Sequence, residues 1–361
     1  MRVLFLSSYA PYAPSTRYRV TQFLPHLERL GIACDLLTLM SQEFFDRFYE
    51  PGRVLSKGAY LAARSLRVLW DVIRRRDYDV VFVQREALLF GPPIVEWLVA
   101  RGLRKSLVFD LDDAIFLSYT SPFYGKVASL LKCPSKVPVI MGLSAHVVAC
   151  NAYTSDFARR YNPHVTVIPP VVDAEVFQPV FRDGERVPVV GWLGSQTTAR
   201  HLIPLLPMFE RLARDHDFAL KIVGAGRTFH ARGVRLVQKP YDLRSDVAEF
   251  QDMDIGVYPL VDEPWSLGKA GLKAVQYMAV GIPMVASPVG SVMEIVRHGE
   301  CGFFARTEEE WTDRLAQLLS DEPLRRRMGQ QGRKLVEERY CVQVQAQVLA
   351  DIFDRVSRSR G

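Results

Sequence analysis

Two hydrophobic periods alternate along this chain. Short apolar runs sit at residues 2–8, 32–39, 80–84, 107–111, 146–150 and 165–169. A second series falls at 187–193, 219–223, 234–238, 254–258 and 284–287. Between them apolar residues return every three or four positions, the period of a helix with one buried face. Val20, Phe23, Leu24, Leu27 and Leu30 predict a helix over 16–30, closed by Gly31. Similar patterns predict helices over 53–76, 92–100, 151–161, 198–213, 272–280 and 342–356, and Thr307 with Glu310 forms a capping box for another. Residues 123–131 and 137–143 are short and apolar with lysines between them. Strands that are apolar throughout, each followed by a helix, predict an α/β protein with doubly wound parallel sheets. The charged segment FRDGER (181–186) separates the two series. A chain of 361 residues is long for one core, so two domains are expected, 1–178 and 187–340, with 341–361 as a terminal helix.

In such sheets ligands gather at the carboxyl ends of the strands. Four segments fall there: the loop 9–19 with Arg17 and Arg19, the run Asp110-Leu111-Asp112-Asp113, the segment Ser195-Gln196-Thr197 before Arg200, and the stretch 262–290. The last holds a glycine-flanked lysine, Gly268-Lys269-Ala270-Gly271, that opens a helical pattern ended by Gly281 and Pro283. Exposed amides and the positive end of a helix dipole suit such a place to a phosphate. No G-x-G-x-x-G is present, so a dinucleotide fingerprint is not supported.

Composition narrows the classes. The chain is 48% hydrophobic and 24% charged, as in an ordinary globular protein. No apolar run approaches the length of a membrane span, and the first residues are strand-like rather than a signal peptide, so a cytoplasmic protein is expected. Cys34, Cys133, Cys150, Cys301 and Cys341 are odd in number and lack metal-like spacing, which predicts reduced thiols. The net charge of +6 is concentrated: residues 53–105 carry eleven Lys/Arg against five acids. This basic, amphipathic segment is either a solvated helix face or a surface for anionic lipid, on the cytoplasmic face of a membrane. A nucleic-acid partner is not expected.

The stretch 262–290 also carries a resemblance. Gly271-Leu272 and the run Met278-Ala279-Val280-Gly281-Ile282-Pro283-Met284-Val285-Ala286-Ser287 resemble the donor-nucleotide signature of glycosyltransferase family 4, the retaining enzymes with the GT-B fold. Pro169 to Pro179 is similar to the hinge segment of that family. GWLGSQTTA, DIGVYPL, PWSLGKAGLKAVQYMA and FDLDDAIF resemble one subgroup of it. The resemblance implies two Rossmann-like domains facing a central cleft, with a C-terminal helix crossing back to the first domain. The first domain would bind the acceptor, and the second the nucleotide sugar. It implies transfer of a sugar from a nucleotide-diphosphate sugar to a glycan or lipid-linked acceptor, in surface polysaccharide biosynthesis, without a metal or other cofactor. Two departures stand out: Gly268 and Gln276 occupy the signature's two acidic positions.

On this basis Lys269 is expected to stabilise the leaving phosphate, with Arg200 and Ser195 as further contacts. Lys269 is otherwise a solvent lysine, and Arg200 a surface arginine. Gly268, Gly271 and Leu272 form the turn under the donor. Gln276 replaces a ribose-binding carboxylate and retains one acceptor and one donor group. Glu263 or Asp262 is a candidate to replace the acid missing at 268. Asp112 is expected to contact an acceptor hydroxyl or the donor sugar, or else to cap a helix and pair with Arg17 or Arg19. Arg19 is expected to reach the diphosphate or a phosphorylated lipid acceptor. Two alternatives remain open at this point, a sugar-nucleotide epimerase and an inactive relative that acts as a binding partner.

Overall fold

The computed structural model describes residues 1–48, 50, 52–117, 131–180, 186–242 and 245–358. Residues 123–130 of the apolar segment expected at 123–131 and the linker residues 181–185 lie outside them. The chain divides into two compact units. Unit 1 comprises Met1–Pro170, Gly268–Ala270 and Val342–Gly361; unit 2 comprises Val171–Leu267 and Gly271–Cys341.

Unit 1 is built on six parallel strands: β1 (Arg2–Ser7), β2 (Ala33–Thr38), β3 (Val80–Gln84), β4 (Ser106–Leu111), β5 (His146–Ala149) and β6 (Val165–Val167), in the order β2-β1-β3-β4-β5-β6. β1, β3 and β4 are buried nearly throughout, whereas the edge strand β2 is only partly covered. This explains why the central strands read as unbroken apolar runs. Covering helices include α1 (Leu24–Arg29), α2 (Gln42–Phe48), α3 (Val54–Arg74), α4 (Lys136–Leu143) and α5 (Ala152–Ala158). Asn151 caps α5 through a reciprocal bond pair with Thr154.

Unit 2 repeats the plan with β7 (Val189–Leu193), β8 (Ala219–Val223), β9 (Arg235–Lys239), β10 (Ile255–Tyr258), β11 (Met284–Ala286) and β12 (Gly302–Phe304), all parallel, in the order β12-β11-β10-β7-β8-β9. Its helices include α6 (Leu206–Leu212), α7 (Asp246–Gln251), α8 (Leu272–Ala279), α9 (Glu308–Ser320) and α10 (Glu322–Arg339). Thr307 and Glu310 form the expected capping box on α9. Gly281 ends α8 at φ +74°, a left-handed conformation that glycine adopts without steric cost. The last helix, α11 (Val342–Arg358), is part of unit 1. Its Phe353 is fully buried, with its ring centroid 5.9 Å from those of both Phe5 and Phe82.

Three expected helices differ in detail. The pattern over 16–30 is broken into a turn at Pro14–Thr16, a π-turn at Arg17–Thr21 and α1. Pro25 lacks an amide proton, so the helix restarts with that proline in its first turn. The pattern over 198–213 becomes two 3-10 turns and then α6, because Pro204 and Pro207 fit only first-turn positions. Residues 94–102 pass from α-helix to a π-turn.

Glycines mark one tight contact inside unit 2. A Cβ at Gly329 of α10 would overlap the carbonyl oxygen of Gly281. Gly329→Ala is therefore expected to destabilise the protein by about 1–3 kcal/mol through overpacking. Gly58 of α3 has open space around its Cα. Gly58→Ala is expected to stabilise by about 0.5–1 kcal/mol through helix propensity. Thermal or denaturant melts of the two variants should shift in opposite directions.

Candidate functional site

The strand order reverses direction between β1 and β3 in unit 1 and between β7 and β10 in unit 2. Adjacent loops diverge at such points, leaving a crevice at the carboxyl ends of the strands. Each unit places a polar cluster there.

In unit 1, Ser7 Oγ donates to Gln84 Oε1 at 2.8 Å and lies 2.9 Å from Thr16 Oγ1. Gln84 Nε2 donates to Asp112 Oδ2 at 3.1 Å. Arg85, the next residue, donates from Nε to Asp112 Oδ1 at 2.5 Å, and its Nη2 lies 3.5 Å from Asp113 Oδ2. Arg85 has φ +61°, rare for a residue with a side chain, and its guanidinium carbon lies 5.9 Å from the Tyr9 ring centroid. Burial alone would lower the Arg85 pKa; Asp112 and Asp113 outweigh it and hold the guanidinium charged. Burial pushes the Tyr9 phenol up to about 12, against the opposing pull of Arg85. Asp113 is pushed up to about 6, first by burial and then by Asp112, while Arg85 and Lys269 pull it down.

Arg19 is placed otherwise than expected. Its side chain is 5% exposed and pairs with Asp110, with Nε 3.1 Å from Oδ2. Nη1 donates to the carbonyls of Ile168 and Pro169 at 2.8 and 3.2 Å. Burial raises the Asp110 carboxyl and Arg19 opposes the rise. These bonds make Arg19 a brace for the end of β6 rather than the open phosphate contact read from its loop position. The pairing proposed for Asp112 is corrected as well: its arginine is Arg85, and Arg19 belongs to Asp110. The described carboxylates of this run do not combine with other His, Cys, Asp or Glu side chains into a group suited to a metal.

Gly268–Ala270 also pack as part of unit 1. Asn151 Nδ2 donates to the carbonyl of Lys269 at 3.0 Å. A Cβ at Gly268 would overlap the Cβ of Ala114. This close approach explains a departure noted in the sequence: position 268 holds no acidic side chain because none fits.

In unit 2, Gly271 begins α8 at φ +82°, and Leu272 follows as its first residue. The first turn of α8 contains no acid, and it contains Lys273. A cation at a helix N-terminus opposes the dipole. Lys273 is steadied there by two aromatic faces, with Nζ 5.8 Å from the Trp192 ring and 5.9 Å from that of Tyr258, at the ends of β7 and β10. Gln276 is 5% exposed within the same helix. Tyr277 donates its hydroxyl to the Gly191 carbonyl at 3.0 Å, tying α8 to β7. Ser195 is exposed in a tight turn, its amide donating to Thr198 Oγ1 at 3.0 Å. Arg200 is exposed and ion-paired with Glu263. Glu263, expected as a replacement acid, thus already serves that arginine. A cavity of about 530 Å³ lies at the opposite, amino ends of β7, β10 and β11, lined by Arg186, Asp254, Gly281 and Arg325 among others.

The structure thus gathers Asp112, Gly268 and Lys269 in unit 1, and Ser195, Arg200, Gly271, Leu272 and Gln276 in unit 2. Sequence reasoning missed Arg85 and Lys273. Arg85 carries no motif, and its signal is a backbone angle. Lys273 was legible as a basic residue at the second position of a predicted helix.

With this geometry in view, comparison with solved structures defines the class of fold. Sucrose-phosphate synthase from Thermosynechococcus elongatus superposes with a TM-score of 0.72 at 15% identity, covering 99% of this chain and 100% of the other. Anabaena Alr3699/HepE, solved in complex with UDP-glucose, gives a TM-score of 0.67 at 16% identity, covering 98% and 100%. The chain has the GT-B fold. Residues 180–335 match the family model described as glycosyl transferases group 1. Among curated proteins, N-acetyl-alpha-D-glucosaminyl L-malate synthase of Bacillus anthracis is 35% identical over 141 residues, which cover 37% of this chain and 36% of that protein. The chain spans about a third of the length of the first curated relatives it matches.

Asp113→Asn tests the electrostatic reading. A carboxyl raised from about 4 when unfolded to about 6 when folded binds its proton more readily in the native state. Its contribution to stability therefore falls as pH rises through that window. At pH 7.5 the variant should melt a few degrees above wild type, and the gap should close as the pH approaches 4. A variant that melts well below wild type at pH 7.5 would contradict this charge balance.

Proposed function

We propose that the chain is a retaining glycosyltransferase. It moves a sugar from a nucleotide-diphosphate sugar to a glycan or lipid-linked acceptor, in surface polysaccharide biosynthesis. One observation carries the reading: the start of α8 holds Lys273 and no acid in its first turn, and Lys269 lies three residues before its first residue, Leu272. Two lysines and the positive end of a helix call for an anion. The leaving group of the proposed reaction, a nucleoside diphosphate, is such an anion and gains charge as the glycosidic bond breaks. Cations and amides already in position stabilise that charge without reorganising. The match of residues 180–335 to the glycosyl transferases group 1 model and the UDP-glucose bound to a protein of the same fold support the reading.

Roles follow from placement. Lys269, Lys273 and the first amides of α8 take the diphosphate. Ser195 and Arg200 assist at the end of β7, Arg200 on exchanging Glu263 for phosphate. Gln276 takes the ribose. Asp112, locked by Arg85 and Gln84, shapes the polar corner of unit 1. The leaving phosphate itself takes the acceptor proton, so no protein nucleophile is assigned. Lys269→Ala should lower turnover at least tenfold while shifting the melting temperature by no more than a degree or two. Equal damage to both would remove Lys269 from the phosphate site.

The acceptor side includes a surface for lipid. α3 exposes Leu55, Leu66, Trp70 and Ile73, at 91, 70, 58 and 37%. At about 100° per residue these four fall in one narrow sector of the helix, opposite the buried Leu61, Val68 and Val72. Arg53, Arg67 and Arg74 lie along its flank. Such a stripe suits the interface of an anionic membrane. No helix among the described residues is long and apolar enough to cross one. Flotation with liposomes containing anionic lipid should carry the protein upward at low salt, and Leu66→Asp/Trp70→Asp should abolish this. Absence of flotation at every salt concentration would rule the surface out.

A further inference from the structure

The loop after β10 (residues 259–263) is suspended between its two neighbours in the sheet. The amide of Leu260 donates at 3.0 Å to Ser287 Oγ, just past β11. The next amide, that of Val261, donates at 3.3 Å to His201 Nδ1, in the 3-10 turn that follows β7. β10 lies between β11 and β7, so the two successive amides reach opposite ways, one to each neighbour.

The turn after β7 grips this loop twice. Arg200 pairs with Glu263, and His201, the next residue, accepts from Val261. The two ties differ in kind. The Arg200 and Glu263 side chains are 59% and 30% exposed, and an ion pair so open to water contributes little and exchanges readily. His201 is 4% exposed, and a hydrogen bond drawn out of bulk water is stronger and costlier to break. Because Nδ1 accepts, the neutral ring that makes this bond carries its proton on Nε2.

The difference matters for the donor. Arg200, in the role proposed for it, leaves Glu263 for phosphate, and from that moment the ion pair no longer links turn and loop. The chain runs on from Glu263 through the turn Pro264–Leu267, where the amides of Ser266 and Leu267 donate to the Glu263 carbonyl, to Lys269 and the start of α8. Drift of the loop would therefore reach the groups that are to hold the diphosphate.

We infer that His201 is a positioning residue of the donor site. Its Nδ1 keeps the loop after β10 docked on the turn after β7 while Arg200 exchanges Glu263 for phosphate, so the exchange breaks one surface ion pair and rearranges nothing else. This rests on the proposed function, since it concerns how the same site receives its diphosphate.

The test is which atom accepts. Asparagine places Oδ1 where Nδ1 stands, glutamine carries its oxygen one atom farther along, near the place of Nε2, and leucine fills similar space with no acceptor. Binding of UDP and of GDP is measured by calorimetry, with melting temperatures alongside. For the diphosphate that wild type binds, His201→Asn should stay within about twofold of wild type, whereas His201→Gln and His201→Leu should each weaken binding about tenfold, the equivalent of one lost hydrogen bond. Glu263→Gln releases Arg200 and leaves the His201 bond in place, so it should not weaken binding. If His201→Leu does not fold, the comparison of Asn with Gln decides. Wild-type affinity in the Gln variant, an Asn variant as weak as the Gln variant, or a Glu263→Gln variant as weak as either would overturn the assignment of His201 and leave the donor site standing. Failure of wild type to bind either diphosphate overturns the proposed function and this inference together.

Discussion

The placement of Lys269 in the proposed donor site depends on the close approach of Gly268 to Ala114. With no side chain at 268, three residues of the later part of the sequence pack into unit 1, directly before the chain begins α8. The contact sets Lys269 beside the carboxylates at the end of β4, and it leaves Gly271 to open the helix. A larger residue at 268 would push the segment away from Ala114 and move the lysine with it. The glycine looks like the loss of an acidic group in the sequence; in the structure it is a requirement of packing.

Electrostatics then divides the labour. Unit 1 buries acidic groups and balances them incompletely with Arg19 and Arg85. Unit 2 puts a lysine where the dipole of α8 repels it and steadies the ammonium on Trp192 and Tyr258. Both arrangements cost stability locally. Local choices that work against the fold concentrate at functional sites. Here they fall at the two topological switch points, where open α/β sheets bind ligands. The cavity at the amino ends of β7, β10 and β11 is larger in volume than in chemical content. There Arg186 pairs with Asp254 and Arg326 with Glu322, while Arg325 donates to the carbonyls of Leu318 and Leu319.

Much of the fold was legible in the sequence. The central strands are apolar throughout because both faces are covered, and that pattern needs no tertiary knowledge. Gly281 and the Thr307–Glu310 box ended and began helices where their chemistry said they would. Prolines undid the rest: Pro25, Pro204 and Pro207 converted continuous periodic patterns into turns and shorter helices. The candidate site was legible where a motif carried it, as with Lys269 and Gly271. It was illegible where pairing decided the role. Nothing local distinguishes Arg19, buried against Asp110, from an arginine waiting for phosphate. Nor does DLDD show which carboxylate pairs with which arginine. The strained backbone of Arg85 leaves no trace in composition or spacing.

The central claim is that the start of α8, with Lys269 before it and Lys273 within it, holds a diphosphate. The most direct measurement is a crystal structure of the protein with whichever nucleotide sugar raises its melting temperature most. The account predicts phosphate oxygens within hydrogen-bond reach of Lys269 or Lys273 and of the first amides of α8. A diphosphate seated elsewhere, for instance against Arg186 and Arg325 at the amino ends of the unit 2 strands, would contradict it.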